Sequence, residues 1–146
     1  VWQWLIREML VMAKNIEEIE GIGPDTAEKL AKADISTVEQ LLDAACDPKG
    51  RKALAETTGI GDARILKFAN QADLFRISGV SSQYAELLEA AGVDTVKELA
   101  QRNADNLAAK MEEVNAEKNL VRKVPPPASV ADWVEQAKNL PGKMTY

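Results

Sequence analysis

The sequence predicts an all-α fold made of two tandem copies of one helical unit, and three observations predict it. No stretch alternates apolar and polar residues at the two-residue period of a strand. Apolar residues make up 46% and aromatic residues 5% of the chain, and its many Ala, Leu, Glu and Lys residues suit helices. Glycine-centred turns punctuate the helical patterns, and one of them returns at a fixed spacing.

The first turn is Ile19-Glu20-Gly21-Ile22-Gly23-Pro24. Its two glycines permit a tight reversal, and Ile22 at the tip can turn into the core. Pro24 suits the start of a helix, where its missing N–H would have no partner. Ala27 and Leu30 then share one face of that helix. This is the grammar of a helix-hairpin-helix motif. Fifty-eight residues on (19 to 77), Ile77-Ser78-Gly79-Val80-Ser81 repeats the pattern. Ala27, Glu28, Leu30, Ala33, Ile35, Thr37, Val38 and Leu41 meet Ala85, Glu86, Leu88, Ala91, Val93, Thr95, Val96 and Leu99 without a gap. A run of matches at one offset argues for internal duplication. A second hairpin, Thr58-Gly59-Ile60-Gly61-Asp62-Ala63, lies between the copies. Its counterpart near Pro125 has faded, although Phe68-Ala69-Asn70-Gln71-Ala72 resembles Trp133-Val134-Glu135-Gln136-Ala137. The expected organisation is residues 1–11 as a separate apolar segment, 12–75 as the first hairpin pair, and 76–146 as the second.

The elements follow in order. Residues 1–20 read as one extended N-terminal helix running into the first hairpin. Trp2, Leu5, Met9, Met12, Ile16 and Ile19 form an a/d-type stripe. Trp4, Ile6, Leu10 and Val11 fall off that stripe, so the first half of this helix is apolar nearly all round. Composition shifts at Met12-Ala13-Lys14, which resembles a translation start. Residues 1–11 therefore read as appended or grafted, as on an engineered chain. Helices are expected from Pro24 to Ala33 and, capped by Ser36 or Thr37, from Val38 to about Ala45. Asp47-Pro48-Lys49-Gly50 reads as a turn. Arg51 to Glu56 leads into the second hairpin, and Asp62 opens a helix to about Asp73. The second copy gives helices at Ser82–Ala91 and Thr95–Gln101, then a long one capped at Asn103 and broken at Asn115. Glu117–Lys123, an extended connector at Pro125-Pro126-Pro127 and a last helix at Val130–Leu140 complete the chain.

The phrases Ile16-Glu17-Glu18-Ile19-Glu20-Gly21-Ile22-Gly23-Pro24, Leu74-Phe75-Arg76-Ile77-Ser78-Gly79-Val80 and Val130-Ala131-Asp132-Trp133 carry a resemblance. Residues 12–146 resemble a bacterial domain-of-unknown-function family of tandem helix-hairpin-helix proteins. The resemblance implies an all-α fold and no established activity. The wider helix-hairpin-helix superfamily often binds nucleic-acid backbone, which supplies one functional expectation.

Charge and chemistry narrow the rest. The net charge of −5 disfavours a surface that binds polyanions overall. Histidine is absent and Cys46 is the single cysteine, so histidine catalysis and thiolate metal sites within one chain are not expected. Cys46 reads as a small buried hydrophobe, and a cytoplasmic location fits. No cofactor is expected. No stretch is long and apolar enough to suggest a membrane span, and residues 1–13 carry Gln3, Arg7 and Glu8.

A hairpin feeding a helix start presents backbone N–H groups to a phosphate. Pro24 removes one donor at the first hairpin, and Asp25 and Asp62 compete with an anion at the first two. Ser81 stands in place of a glycine at the third. Only the second hairpin has basic residues nearby: Lys49, Arg51, Lys52, Arg64 and Lys67. Gly59, Gly61, Arg51, Lys52, Arg64 and Lys67 are the candidate phosphate-binding set. Gly23-Pro24-Asp25 is a local coincidence with the glycosylase Gly/Pro-Asp segment, which lies downstream of its hairpin. Without a paired nucleophile and base, the chain reads as non-enzymatic. Two functions stay open. One is a scaffold or protein-interaction module that binds a protein partner, or a second copy, through Trp2, Trp4, Ile6, Leu10 and Val11. The other is weak, sequence-independent nucleic-acid binding through the second hairpin.

Overall fold

The computed structural model describes residues 14–146, in which helices joined by turns and loops are the regular structure, with a single antiparallel bridge between Asn15 and Thr37. Eight α-helices follow one another: α1 (Pro24–Ala31), α2 (Val38–Ala45), α3 (Pro48–Thr58), α4 (Asp62–Leu74), α5 (Ser82–Ala90), α6 (Val96–Ala100), α7 (Ala104–Lys118) and α8 (Pro127–Lys138). In the first half α2, α3 and α4 pack on one another. In the second, α8 packs on α6 and α7, while α5 packs on α7 and meets α4 across the middle of the molecule. One continuous apolar core runs through both halves, from Ile16 to Met144.

The 58-residue offset extends to the backbone. Gly21 and Gly79 have φ of +90° and +96°, and Asp34 and Gly92 have φ of +60° and +97°. Ile35 N–H bonds the Leu30 carbonyl at 3.1 Å, and Val93 N–H bonds that of Leu88 at 2.8 Å. Thr37 and Thr95 both cap their helices, each accepting a hydrogen bond from the residue three positions on, Gln40 or Glu98. Leu30, Leu41, Leu88 and Leu99 are completely buried. At Gly21 a side chain would crowd the Phe68 ring at 3.3 Å, and at Gly79 the Trp133 indole nitrogen at 3.0 Å. The glycine turns thus lie directly on the two aromatic rings that the sequence aligns with each other.

Four expectations about the elements need correction. The extended N-terminal helix does not include residues 14–20. Ile16 N–H bonds Ser36 O and Val38 N–H bonds Lys14 O, so this backbone is paired with the chain before α2 and makes no α-helical ladder. Ile16–Glu18 is instead one 3₁₀ turn, capped by Asn15, whose side chain accepts from Glu17 N–H at 2.8 Å. The rest of the expected helix, with Trp2, Trp4, Ile6, Leu10 and Val11, lies outside the described residues. Asp47-Pro48-Lys49-Gly50 is not a free turn but the start of α3. Asp47 accepts from Gly50 N–H at 2.6 Å, and Pro48 occupies the first helical position. Asn115 does not break α7, which runs on to Lys118 and ends at Asn119 in the left-handed conformation, φ +51°. Asn115 uses its amide to hold both backbone groups of Val121, at 2.9 and 3.0 Å, and so pins the following loop. Finally, Pro127 is the first residue of α8 and not part of an extended connector, with Pro126 as its cap residue.

Candidate functional site

The second turn begins where α3 ends. Gly59 takes φ +76° and closes the helix by bonding the Ala55 carbonyl. The Thr58 hydroxyl donates to Leu54 O at 2.7 Å and accepts from Ile60 N–H at 3.2 Å, which turns buried Ile60 inward. Gly61 then starts α4 in an extended conformation without a side-chain cap. Space around both glycines is open, with nothing within 4 Å of where a side chain would begin. The first N–H groups of α4 therefore have no side-chain cap, and Asp62 stands in the same first turn.

This absence of a cap belongs to a pattern. The helices that follow the four turns start at Gly23, Gly61, Ser81 and Pro126, and none has a side-chain cap. The other four start at Thr37, Asp47, Thr95 and Asn103, and each has one.

The basic residues do not converge on the second turn. Arg51 is buried, with its guanidinium donating to Ala45 O at 3.0 Å and to Thr145 O at 2.8 Å beneath the Tyr146 ring. One donor on each terminal nitrogen is thus used within the protein. Exposed Lys52 edges a groove of about 400 Å³ that Arg51 also lines, with Pro48, Asp62, Ala63 and Leu66. Arg64 reaches the other way, toward Thr26 of α1 at 3.4 Å, and lies 5.4 Å from the Phe68 ring. Lys67 lines a separate cleft with Glu86, Glu89, Lys118 and Leu120. Burial raises the Glu86 pKa above the usual carboxylate value; Glu20 and Glu89 add to the rise and Lys67 opposes it.

Trp133 is buried and packs against Tyr84 with ring centroids 5.4 Å apart, as a core aromatic does. Cys46 is only partly buried, at the edge of the core. Among the described residues no group of Cys, Asp and Glu side chains is arranged to hold a metal ion, and no helix is long and apolar enough to cross a membrane.

Sequence reasoning missed two features. Gln136 clamps the third turn, accepting from Ser78 N–H at 2.9 Å and donating to Ser78 O at 3.1 Å. Its aligned partner Gln71 is fully buried, donates to Glu89 at 3.2 Å across the middle of the molecule, and leaves its Oε1 without a partner. The repeated glutamine was the available signal. The second feature is residues 143–146, which fasten onto the first half and which no periodicity marks.

The domain of unknown function DUF4332 matches residues 20–140. No curated protein and no solved structure matches the chain.

Proposed function

We propose that this chain, which belongs to the DUF4332 family, is a non-catalytic interaction module of tandem helix-hairpin-helix pairs. Its partner surface is the apolar segment containing Trp2, Trp4, Ile6, Leu10 and Val11, which meets a protein partner or a second copy. One observation carries this reading. Among the described residues, Tyr146 is the only large apolar side chain that is exposed, at 67%. The first eleven residues, by contrast, concentrate apolar side chains, including two tryptophans. The test is light scattering coupled to size exclusion on the full chain and on Trp4→Ala with Leu10→Ala. Association should be lost in the double variant with helicity and melting temperature unchanged. Unaltered association, or unfolding of the double variant, refutes the reading.

A second reading is favoured by the uncapped start of α4 at the open second turn, with exposed Lys52 beside it and exposed Arg64 at the third residue of α4. It is weak binding of the nucleic-acid backbone, with Kd of roughly 10⁻⁴–10⁻⁶ M at physiological salt. In fluorescence anisotropy with a DNA duplex, Lys52→Glu with Arg64→Glu should abolish binding. Binding that persists in the variant or in high salt excludes a phosphate contact at this turn.

A further inference from the structure

Residues 143–146 behave as a peptide bound to the first half of the chain. Lys143 pairs with Asp43, Thr145 N–H bonds Cys46 O at 2.8 Å, Thr145 O accepts from Arg51, and the Tyr146 hydroxyl donates to Asn70 at 3.0 Å. Met144 between them is 1% exposed and belongs to the core. All these polar partners belong to the first half, although the segment follows α8 of the second. The receiving surface is built for an extended chain. The carbonyls ending α2 have no partner within the helix. Arg51 satisfies that of Ala45, and the segment's own N–H satisfies that of Cys46. Arg51 makes its bond to Ala45 O through Nη1 and uses Nη2 on the Thr145 carbonyl. Without the segment, Cys46 O, one Arg51 nitrogen and the Asn70 amide oxygen lose these partners, and a core position empties. The tether is slight: residues 139–146 form no helix, and Pro141 O accepts from Arg76 at 2.7 Å.

We propose that this groove, formed by the end of α2 with α3 and α4, is a peptide-docking site filled by the chain's own segment, and that it takes the same segment from a second copy. Reciprocal exchange would preserve every contact that residues 143–146 make, because the groove reads only those residues and not the path by which they arrive. At low concentration the short tether favours the segment's own chain.

The test shortens the tether. Deleting Pro141 and Gly142 removes at most about 7 Å of reach, so the segment no longer spans to its own groove. Trp4→Ala and Leu10→Ala are present throughout, so that association through residues 1–11 does not contribute. The shortened chain should double in mass by light scattering, and adding Met144→Asp should return it to a monomer. A folded, shortened chain that stays monomeric overturns the proposal. If the deletion prevents folding, a labelled peptide of residues 141–146 is titrated onto the otherwise intact Met144→Asp chain. It should bind there, or restore folding, and bind the chain with Met144 at least roughly tenfold more weakly because that groove is occupied. Neither binding nor rescue, or equal binding to both chains, overturns the proposal.

Discussion

Replacing Gln71 with leucine should make the protein more stable, while the same change at Gln136 should make it less so. Gln71 is fully buried, with one hydrogen bond from its amide nitrogen to Glu89 and none to its oxygen. The amide orientation follows from chemistry, since a carboxylate accepts and only the nitrogen can donate to it. An unsatisfied buried acceptor costs about 1–3 kcal/mol, and a hydrogen bond to a charged group contributes about 1.5–3 kcal/mol. The loss of the bond falls at the low end, because half-buried Glu89 can turn to solvent. Leucine also fills the site with apolar surface, a gain of about 1.5–3 kcal/mol for full burial before the glutamine methylenes already there are discounted. The balance is about 1 kcal/mol in favour of Gln71→Leu, or roughly 2–4 °C in a chain of this size. At Gln136 both ends of the amide are used, on the backbone of Ser78 and on Asp132. Gln136→Leu should therefore lower stability by about 1–2 kcal/mol. Urea and thermal unfolding followed by circular dichroism give both values. If Gln71→Leu destabilises by more than about 2 kcal/mol, the buried oxygen has a partner in solution and the reasoning fails.

Three further outcomes are expected. Gly79→Ala and Gly21→Ala should each lower stability by about 1–2 kcal/mol in urea titrations, because alanine resists the left-handed backbone; Gly79 should be the worse, its side chain meeting Trp133 at 3.0 Å against 3.3 Å for Phe68 at Gly21. Asp73→Ala should cost about 1–3 kcal/mol, the penalty for leaving the buried Val96 N–H without its acceptor, since Asp73 is 1% exposed and its carboxylate serves both that group and the partly exposed Arg76; an unaltered urea midpoint would contradict this. Glu86 has a raised pKa in the folded state, so between the unfolded and folded values the native protein binds more protons than the unfolded chain. Stability should fall as pH rises from the ordinary carboxylate value through the folded one. Glu86→Gln should remove that slope and raise the melting temperature at pH 7, and a pH series of melting curves checks both.

The parts of the fold that were legible in the sequence are those set by neighbours along the chain. Thr37 with Gln40, and Thr95 with Glu98, announce helix starts because the cap and its target are three residues apart. Ile16 and Ile19 were ambiguous: a spacing of three fits a 3₁₀ turn as well as an α-helix, and the pairing of residues 14–16 with 36–38 decided between them. Asn119 was missed because asparagine adopts the left-handed conformation without advertising it, so the fourth turn seemed to lack its pivot. At the candidate site, the open glycines at 59 and 61 were readable and the fate of the cations was not. Arg51 counted as basic in the sequence, yet its guanidinium is consumed by a carbonyl 94 residues away.

The Asp73 carboxylate bears on how the chain acquires its shape. It lies at the end of α4 yet bonds Val96 N–H at the start of α6, a helix of five residues that is too short to persist by itself. The second half thus borrows a helix initiator from the first, and residues 143–146 return the favour by closing the first half from the far end of the chain. The two halves should therefore fold together and not as independent units. Unfolding should be a single cooperative transition seen alike by every probe, and a protease cut at the α4–α5 junction should release both halves as unstructured fragments.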